Sequence, residues 1–216
     1  MDKAASKKLL SPVRAVISRE DNLSIYRESR ISGSSGCPNL PLTLLVELSS
    51  MCNLRCRMCN IHHDSTSGIL MDEGLLEKTF EFAKTAVSVL PFGLGEPLLH
   101  PRIAEIVARF KSLGPAVGLT SNGMLLDEKT SCTLIDSGLD QLVISVDAAD
   151  PLLFSRLRRG ADLKRIGNNI STLNRLKKSL GVSHPSLALN VVAQASNFSE
   201  LPKIVRMADA GERPED

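Results

Sequence analysis

Short apolar runs alternate with amphipathic segments along most of the chain. The runs cover residues 42–48, 87–92, 116–120, 141–146 and 187–192. Each run is brief and nearly continuous, which is typical of a parallel strand buried on both faces. We therefore predict five strands at these positions.

The segments between the runs place apolar residues three and four positions apart, the spacing that lines one face of a helix. Such stripes lie within residues 76–87, 103–110, 163–176 and 201–208, and a weaker one lies in 127–137. Asp127 is a suitable N-cap for the weaker helix. Asp150 followed by Pro151 predicts a further helix start, because Asp caps well and Pro is accepted at the first helical position.

Five strand–helix alternations predict an α/β fold of right-handed βαβ units around a parallel sheet. Periodicity leaves open whether the sheet is open and doubly wound or curved into a partial barrel. The first strand–helix turn has no G-x-G-x-x-G sequence, so a dinucleotide-binding interpretation has little support. We expect residues 1–40 to form an N-terminal extension and residues 41–216 to form the core domain.

Composition excludes several classes of protein. The 216 residues are 43% apolar with a net charge of +2, as in globular proteins rather than collagen-like or disordered chains. No stretch approaches the roughly 20 apolar residues of a membrane-spanning helix. The N-terminus has no signal-peptide apolar run, so we expect a cytoplasmic protein. Six Phe, one Tyr and no Trp predict an aliphatic core.

Basic residues are concentrated in residues 156–178, where eight Lys or Arg accompany Asp162 as the single acidic residue. Two interpretations are open: a surface for an anionic substrate or partner, or the solvated face of a helix. No aromatic residues are interleaved with these charges, so nucleic acid is not an expected partner.

Three of the five cysteines lie within eight residues: Cys52, Cys56 and Cys59. This C-x3-C-x2-C loop follows the first strand, at the carboxyl end where parallel α/β folds place their sites. Three thiolates can ligate three irons of a [4Fe–4S] cluster and leave the fourth iron open to a small molecule. The alternatives are structural zinc with His62 or His63 as fourth ligand, or three unligated thiols.

Polar and glycine-containing segments follow the other predicted strands. They are Gly93-Leu-Gly-Glu-Pro-Leu-Leu-His-Pro101, Thr120-Ser-Asn-Gly123, Ile144-Ser-Val-Asp147 and Arg158-Arg-Gly160. Together with the cysteine loop, these motifs resemble the radical S-adenosylmethionine (SAM) enzyme superfamily over residues 42–210. Within it, the likeness is greatest to the peptide-modifying and cofactor-maturing branch. The resemblance implies a partial (βα) barrel.

The resemblance also implies a reaction. A [4Fe–4S] cluster on Cys52, Cys56 and Cys59 would chelate the amino and carboxylate groups of SAM at its open iron. One electron from a flavodoxin or ferredoxin would cleave SAM to methionine and a 5′-deoxyadenosyl radical. That radical would abstract hydrogen from a substrate, a peptide, protein or small metabolite, that the sequence does not identify.

Several strand-end residues are assigned to SAM by the same resemblance. The backbone carbonyls of the turn at Gly95 and the carboxylate of Glu96 would accept from the SAM ammonium group. Ser145 and Asp147 would bind the ribose hydroxyls.

The remaining assignments concern less specific polar groups. Ser121 and Asn122 would contact the adenosyl part or the substrate. Arg158 or its neighbour Arg159 would pair with the carboxylate of SAM or with substrate. No residue is assigned to the adenine ring.

One feature departs from the family pattern. The family core has six βα units, and only five are visible in the sequence. We therefore expect a C-terminally incomplete core that has a partner, lacks a C-terminal segment or is marginally stable. An alternative function is a truncated, non-catalytic iron–sulfur or zinc-binding module.

Overall fold

The structure is a computed structural model and describes residues 17–33, 35–36, 38–60 and 68–210. Two residues discussed above, His62 and His63, lie outside the described residues.

Seven helices and seven strands follow one another in the described chain. In order they are α1 (Arg19–Ile31), β1 (Thr43–Leu45), β2 (Arg55–Cys56), α2 (Glu73–Ala83), β3 (Ser88–Leu90), α3 (Ile103–Ser112), β4 (Ala116–Ser121), α4 (Glu128–Asp136), β5 (Gln141–Ser145), α5 (Pro151–Leu157), β6 (Arg158–Arg159), α6 (Leu163–Leu180), β7 (Ser186–Asn190) and α7 (Leu201–Ala210). Short 3-10 turns lie at Pro97–Leu99 and Phe198–Glu200.

Five parallel strands form the main sheet in the order β1-β3-β4-β5-β7, which is also their order in the chain. Right-handed crossovers between strands added on the same side place all the connecting helices on one face of the sheet. This order excludes the doubly wound alternative and confirms the predicted α/β partial barrel. Within the described residues, β7 pairs with β5 alone.

The core lies between the sheet and the helices that cover one of its faces. Alternate strand residues point toward the helices and are buried, while the intervening residues face the open side. Phe80 of α2 and Phe110 of α3 pack there, with their ring centroids 4.6 Å apart. The buried apolar residues in the strands, and directly after β1, are aliphatic, as the composition predicted: Val46, Leu48, Val89, Val117, Leu119, Leu142 and Ile144.

Side-chain caps start the helices where the sequence predicted them. Asp127 accepts a hydrogen bond from the Thr130 N–H, and Asp150 accepts one from the Leu153 N–H. Each cap satisfies an amide that has no partner within its own helix. The helix starts therefore fall directly after the strand-end loops and fix the length of those loops.

Helix α1, within the segment predicted as an N-terminal extension, packs at the amino end of the sheet. The Arg19 guanidinium donates to main-chain carbonyls after α2 and α3, including that of Leu113 at 2.8 Å. Asn22 is fully buried; it donates to the carbonyls of Leu40 and Thr85 and accepts from the Leu40 N–H. These bonds join α1 to the first two βα units.

None of the described helices is both long enough and apolar enough to cross a membrane.

Candidate active site

The loop that carries the three cysteines is held at the carboxyl end of β1 by several contacts. Leu54 is buried in the core, and Cys56 lies in β2, which pairs antiparallel with β6. The Arg57 N–H donates to the Leu157 carbonyl at 2.7 Å. These anchors hold the backbone between the first and the last cysteine on one side of the barrel mouth.

The three thiols are half-buried and free. Burial raises the pKa of Cys52 and that of Cys56, and the nearby Arg158 cation opposes the rise in both. Thiolates, not thiols, are metal ligands, so metal binding at this loop releases protons.

The donor set of this loop suits an iron–sulfur cluster. Three thiolates on one short loop can hold a [4Fe–4S] cluster, because each thiolate binds a different iron. Thiolate sulfur is a soft donor, which such clusters take. Among the described residues, no group of three or more Cys, His, Asp or Glu side chains is placed to hold one metal ion.

Gly95 lies where the turn after β3 touches the cysteine loop. A Cβ atom at this position would stand 2.0 Å from the Ser49 carbonyl oxygen, so only glycine fits. The adjoining Glu96 N–H donates to the Met51 carbonyl at 2.7 Å. The turn is thus pressed against the residues that lead into Cys52.

Glu47 holds the other side of this turn. Its Oε1 accepts from the N–H groups of Leu94 at 2.8 Å and Gly95 at 3.3 Å. No role was predicted for Glu47 from the sequence, although it is the one charged residue within the apolar run 42–48. The signal in the sequence was this single carboxylate within an apolar run, which indicates that β1 ends before it.

Glu96 joins the ends of β3 and β4. Its side chain is 2% exposed, and its carboxylate accepts from the Ser121 hydroxyl and the Asn122 N–H, both at 2.8 Å. It also accepts from the Leu98 N–H at 3.1 Å. Burial raises the pKa of Glu96, and these hydrogen bonds partly offset the rise. The structure therefore brings together Glu96, Ser121 and Asn122, three of the predicted site residues.

Asn122 carries this network into the cysteine loop. Its Nδ2 donates to Asn53 Oδ1 at 2.8 Å, and its Oδ1 accepts from the Met124 N–H at 3.0 Å. Asn53 lies directly after Cys52, and no role was predicted for it from the sequence. The polar end of β4 is in this way fastened to the loop that precedes Cys56.

Asp147 and Arg158 form a buried ion pair beside the same loop. Arg158 Nε donates to Asp147 Oδ2 at 2.7 Å, and Asp147 Oδ1 accepts from the Val192 N–H at 2.8 Å. The Nη groups of Arg158 donate to none of the described residues. Asp147 thus has both oxygens engaged by the protein, and the ribose contact predicted for it stays a prediction.

The segment after β7 is tied to Asp147 and to the start of α5 by two further residues, Asn197 and Glu200. Asn197 Nδ2 donates to the carbonyls of Asp147 at 2.8 Å and Val192 at 3.0 Å. Glu200 accepts from the Asp150 N–H at 2.8 Å. Both side chains are buried at a short 3-10 turn, which leaves no periodic apolar pattern, so the sequence carried no signal for them.

Ser145 and Arg159 complete the predicted set. Ser145 ends β5 opposite Asn190, and its hydroxyl makes no hydrogen bond to another described residue. Arg159 is exposed and lies opposite Arg55 in the β2–β6 pair. The predicted residues therefore gather at one edge of the sheet, with Arg159 directed away from it.

Comparison with known proteins identifies this arrangement. Residues 46–189 match the family model of the radical SAM superfamily. The chain is 30% identical over 170 residues to the "Tungsten-containing aldehyde ferredoxin oxidoreductase cofactor-modifying protein" of Pyrococcus furiosus, covering 76% of this chain and 47% of that protein. It is 31% identical over 168 residues to a "Probable GTP 3',8-cyclase" of Methanocaldococcus jannaschii, covering 76% and 53%.

Solved structures show the same fold. SuiB of Streptococcus suis, in complex with the precursor peptide SuiA, superposes with a TM-score of 0.66 at 19% identity, covering 80% of this chain and 37% of SuiB. Methylornithine synthase (PylB) superposes with a TM-score of 0.62 at 14% identity, covering 90% of this chain and 58% of PylB.

This chain spans about half the length of the curated relatives it matches. The family match nevertheless covers most of the chain and contains the cysteine loop and all four strand-end motifs. Members of the family use a [4Fe–4S] cluster and SAM. The chain belongs to the radical SAM superfamily.

Proposed function

We propose that this chain holds a [4Fe–4S] cluster on Cys52, Cys56 and Cys59 and cleaves SAM reductively. The observation that carries the proposal is the convergence of the cysteine loop with the ends of β3, β4 and β5 at one edge of the sheet. Bonds from Glu96 to Met51 and from Asn122 to Asn53 fasten two of these strand ends to the loop. Residues 41–216 would form this core.

The turn at Gly95 serves the ammonium group of SAM in this proposal. Main-chain carbonyls of the turn are acceptors, and the lack of a Cβ atom lets the turn lie against Ser49. The Glu96 carboxyl group lies beside the turn, where its oxygens accept from the neutral donors Leu98, Ser121 and Asn122. An ammonium ligand nearby would favour the charged form of this carboxyl group and oppose the rise in its pKa that burial causes.

Ser145 and Arg158 serve the rest of SAM. The Ser145 hydroxyl has no protein partner among the described residues and suits a ribose hydroxyl. The Nη groups of Arg158 suit the carboxylate of SAM, since Asp147 occupies only its Nε. Asp147 therefore acts mainly as a positioning residue that holds Arg158, with Ser121 and Asn122 facing the adenosyl part or substrate.

When bound, the reduced cluster would supply the electron that converts SAM to a 5′-deoxyadenosyl radical, which abstracts hydrogen from a substrate. The protein's own part is to bind, orient and shield these groups. We propose a cytoplasmic location with a flavodoxin or ferredoxin as donor. The substrate is a peptide, a protein or a small metabolite: SuiB is bound to a precursor peptide, and two relatives are named for cofactor modification and GTP cyclisation.

The test is anaerobic reconstitution of the chain with iron and sulfide, reduction with dithionite, and measurement of 5′-deoxyadenosine after SAM is added. We expect product from the wild-type chain and none from Cys56→Ala. The proposal is contradicted if the spectrum of the cluster does not change when SAM is added and no 5′-deoxyadenosine forms. Zinc as the sole stoichiometric metal after anaerobic isolation supports the non-catalytic module instead.

A further inference from the structure

Two segments brought together by the β2–β6 pair contain five arginines and no acidic residue. They are residues 51–60 and 151–161. Arg158 is buried and paired with Asp147. The other four are exposed, and we call them the arginine face: Arg55, Arg57, Arg156 and Arg159.

The pairing places this face directly behind a predicted cluster ligand. Arg55 lies opposite Arg159, and Cys56 lies opposite Arg158. Successive strand residues point to opposite sides, so Cys56 and Arg158 turn toward the site while Arg55 and Arg159 turn to solvent. One peptide unit therefore separates the Cys56 ligand from the surface arginines.

The backbone brings two further arginines to the same face. The Arg57 N–H bonds to the Leu157 carbonyl, which joins the end of the cysteine loop to the turn of α5 that carries Arg156. All four charges thus lie around one short ladder rather than along one helix. The solvated helix face suggested for residues 156–178 accounts for α6 but not for this group.

These charges are not neutralised by the described part of the chain. None of the four arginines forms an ion pair there, whereas Arg102, directly before α3, pairs with two glutamates and Arg109 of α3 pairs with one. Like charges directly opposite each other destabilise a β pair. An anionic partner that covers the face would remove this repulsion.

We propose that the arginine face docks an acidic, low-potential electron-carrier protein of the flavodoxin or ferredoxin class. The proposal rests on the proposed function, because it places the donor beside the cluster that the donor reduces. One electron leaves the reduced carrier, which is oxidised by one electron, and the cluster is reduced by one electron. No bond forms or breaks and no proton moves in this transfer.

Charge complementarity and position favour a carrier protein over nucleic acid. Nucleic-acid surfaces combine basic residues with aromatic side chains on which bases stack, and neither segment has an exposed aromatic residue. A docked carrier also needs closeness to the cluster, which the β2–β6 pair supplies.

The test measures binding of a bacterial flavodoxin to the reconstituted full chain by calorimetry, anaerobically and at several salt concentrations. Reversing two charges in Arg156→Glu/Arg159→Glu should weaken binding about tenfold and flatten its salt dependence. The matched control is Arg27→Glu/Arg30→Glu on α1, where both residues are exposed at the other end of the barrel. It should change the affinity less than about twofold.

A second double variant with a smaller change in charge controls for misfolding. Arg156→Gln/Arg159→Gln removes the charges without reversing them and should give an intermediate loss of affinity. Equal effects in the reversed pair and the α1 control, or no effect in either, overturn the proposal. Binding of a 20-base-pair DNA duplex by the wild-type chain in place of flavodoxin overturns it as well.

Failure of the docking proposal is separable from failure of the proposed function. Dithionite reduces the cluster without a carrier, so the α1 control should form 5′-deoxyadenosine with dithionite at the wild-type rate. Any loss of rate in the arginine-face variant should be smaller with dithionite than with reduced flavodoxin. With reduced flavodoxin as the sole donor, only the arginine-face variant should slow. If dithionite yields no product from the wild-type chain, the proposed function fails, while the flavodoxin affinities still test the docking surface.

Discussion

The two ends of the parallel strands differ in the side chains that satisfy main-chain groups. At the amino end, Arg19 and Asn22 donate to carbonyls that follow helices or precede a strand, and Asp140 accepts from one N–H group. At the carboxyl end, Glu47, Glu96 and Asp147 accept from loop N–H groups. Carboxylates therefore have the larger part at the carboxyl end, where they organise loops around an open edge.

This difference separates stability from ligand binding. At the amino end, α1 packs against the first two βα units, and its hydrogen bonds to them serve the fold. The carboxyl end keeps a glycine turn, a free serine hydroxyl and unpaired Nη groups for other molecules. Changes at the two ends should therefore have different consequences, and the variants below test that separation.

The largest expected effect is on the cysteine loop. Cys56→Ala should abolish iron and sulfide incorporation, because two thiolates do not hold the cluster. The measurement is iron and sulfide content after anaerobic reconstitution. Cys132→Ala, a half-buried cysteine on α4, is the control and should retain full iron content. Normal iron in Cys56→Ala would refute the ligand assignment.

Asp147→Ala should affect both stability and SAM binding, since it leaves the buried Arg158 charge unpaired. We expect a loss of about 3–5 kcal/mol in the free energy of unfolding, measured by urea denaturation of the metal-free chain. The double variant Asp147→Ala/Arg158→Leu should regain most of that stability without regaining SAM affinity. Restored SAM binding in the double variant would exclude Arg158 from the SAM site.

Asn22→Ala should lower stability without touching the site. The variant leaves the Leu40 N–H and two carbonyls without their partner, at a cost of roughly 3 kcal/mol. Urea denaturation measures the loss, and SAM affinity of the folded, reconstituted variant should equal that of wild type. Ser24→Ala, on the exposed side of α1, is the control. A weakened SAM affinity in Asn22→Ala would contradict the conclusion that the amino end serves stability and the carboxyl end serves ligand binding.

Gly95→Ala should affect the site rather than the stability of the fold. The added methyl group would stand 2.0 Å from the Ser49 carbonyl, so the turn must move away from the cysteine loop. We expect 5′-deoxyadenosine formation to fall about 100-fold, equivalent to about 2.7 kcal/mol in the barrier. Gly74→Ala, in the first turn of α2, should leave the rate unchanged. An unaltered rate in Gly95→Ala would show that the turn does not position SAM.

The smallest expected effect is a pH dependence at His100. Burial lowers the pKa of His100, and its Nδ1 accepts from the Arg102 N–H at 3.2 Å. The unfolded chain then binds the proton more tightly, so the free energy of unfolding should fall as pH drops below about 6.5. His100→Asn keeps an acceptor but does not titrate, and should show a shallower fall in urea denaturation between pH 7 and pH 5. Identical profiles would remove His100 as the cause.

Local patterning predicted most of the fold. All five sheet strands and the main helices lie within a few residues of their predicted positions. A helix that is buried on one face has apolar residues at a regular spacing, and this spacing is visible in the sequence. Strand order was not predictable from periodicity, since the order of pairing depends on contacts between distant segments.

The site was predictable where its residues directly follow strands. Glu96, Ser121 and Asn122 come together as parallel strand ends must, since these share one edge of the sheet. The β2–β6 pair was missed because two residues per strand, about 100 positions apart, leave no periodic signal. Asn197 was missed for a related reason. It is a polar loop residue that bonds to carbonyls, and no periodic apolar pattern surrounds it in the sequence.

The agreement between strand order in the sheet and strand order in the chain has a consequence for how the chain folds. Each new strand pairs with the sheet strand made just before it, so most long-range contacts join consecutive βα units. Such a topology has a lower contact order than a sheet whose central strand is made late. We expect the barrel to assemble vectorially during synthesis, with β1, β3 and β4 paired before β7 leaves the ribosome.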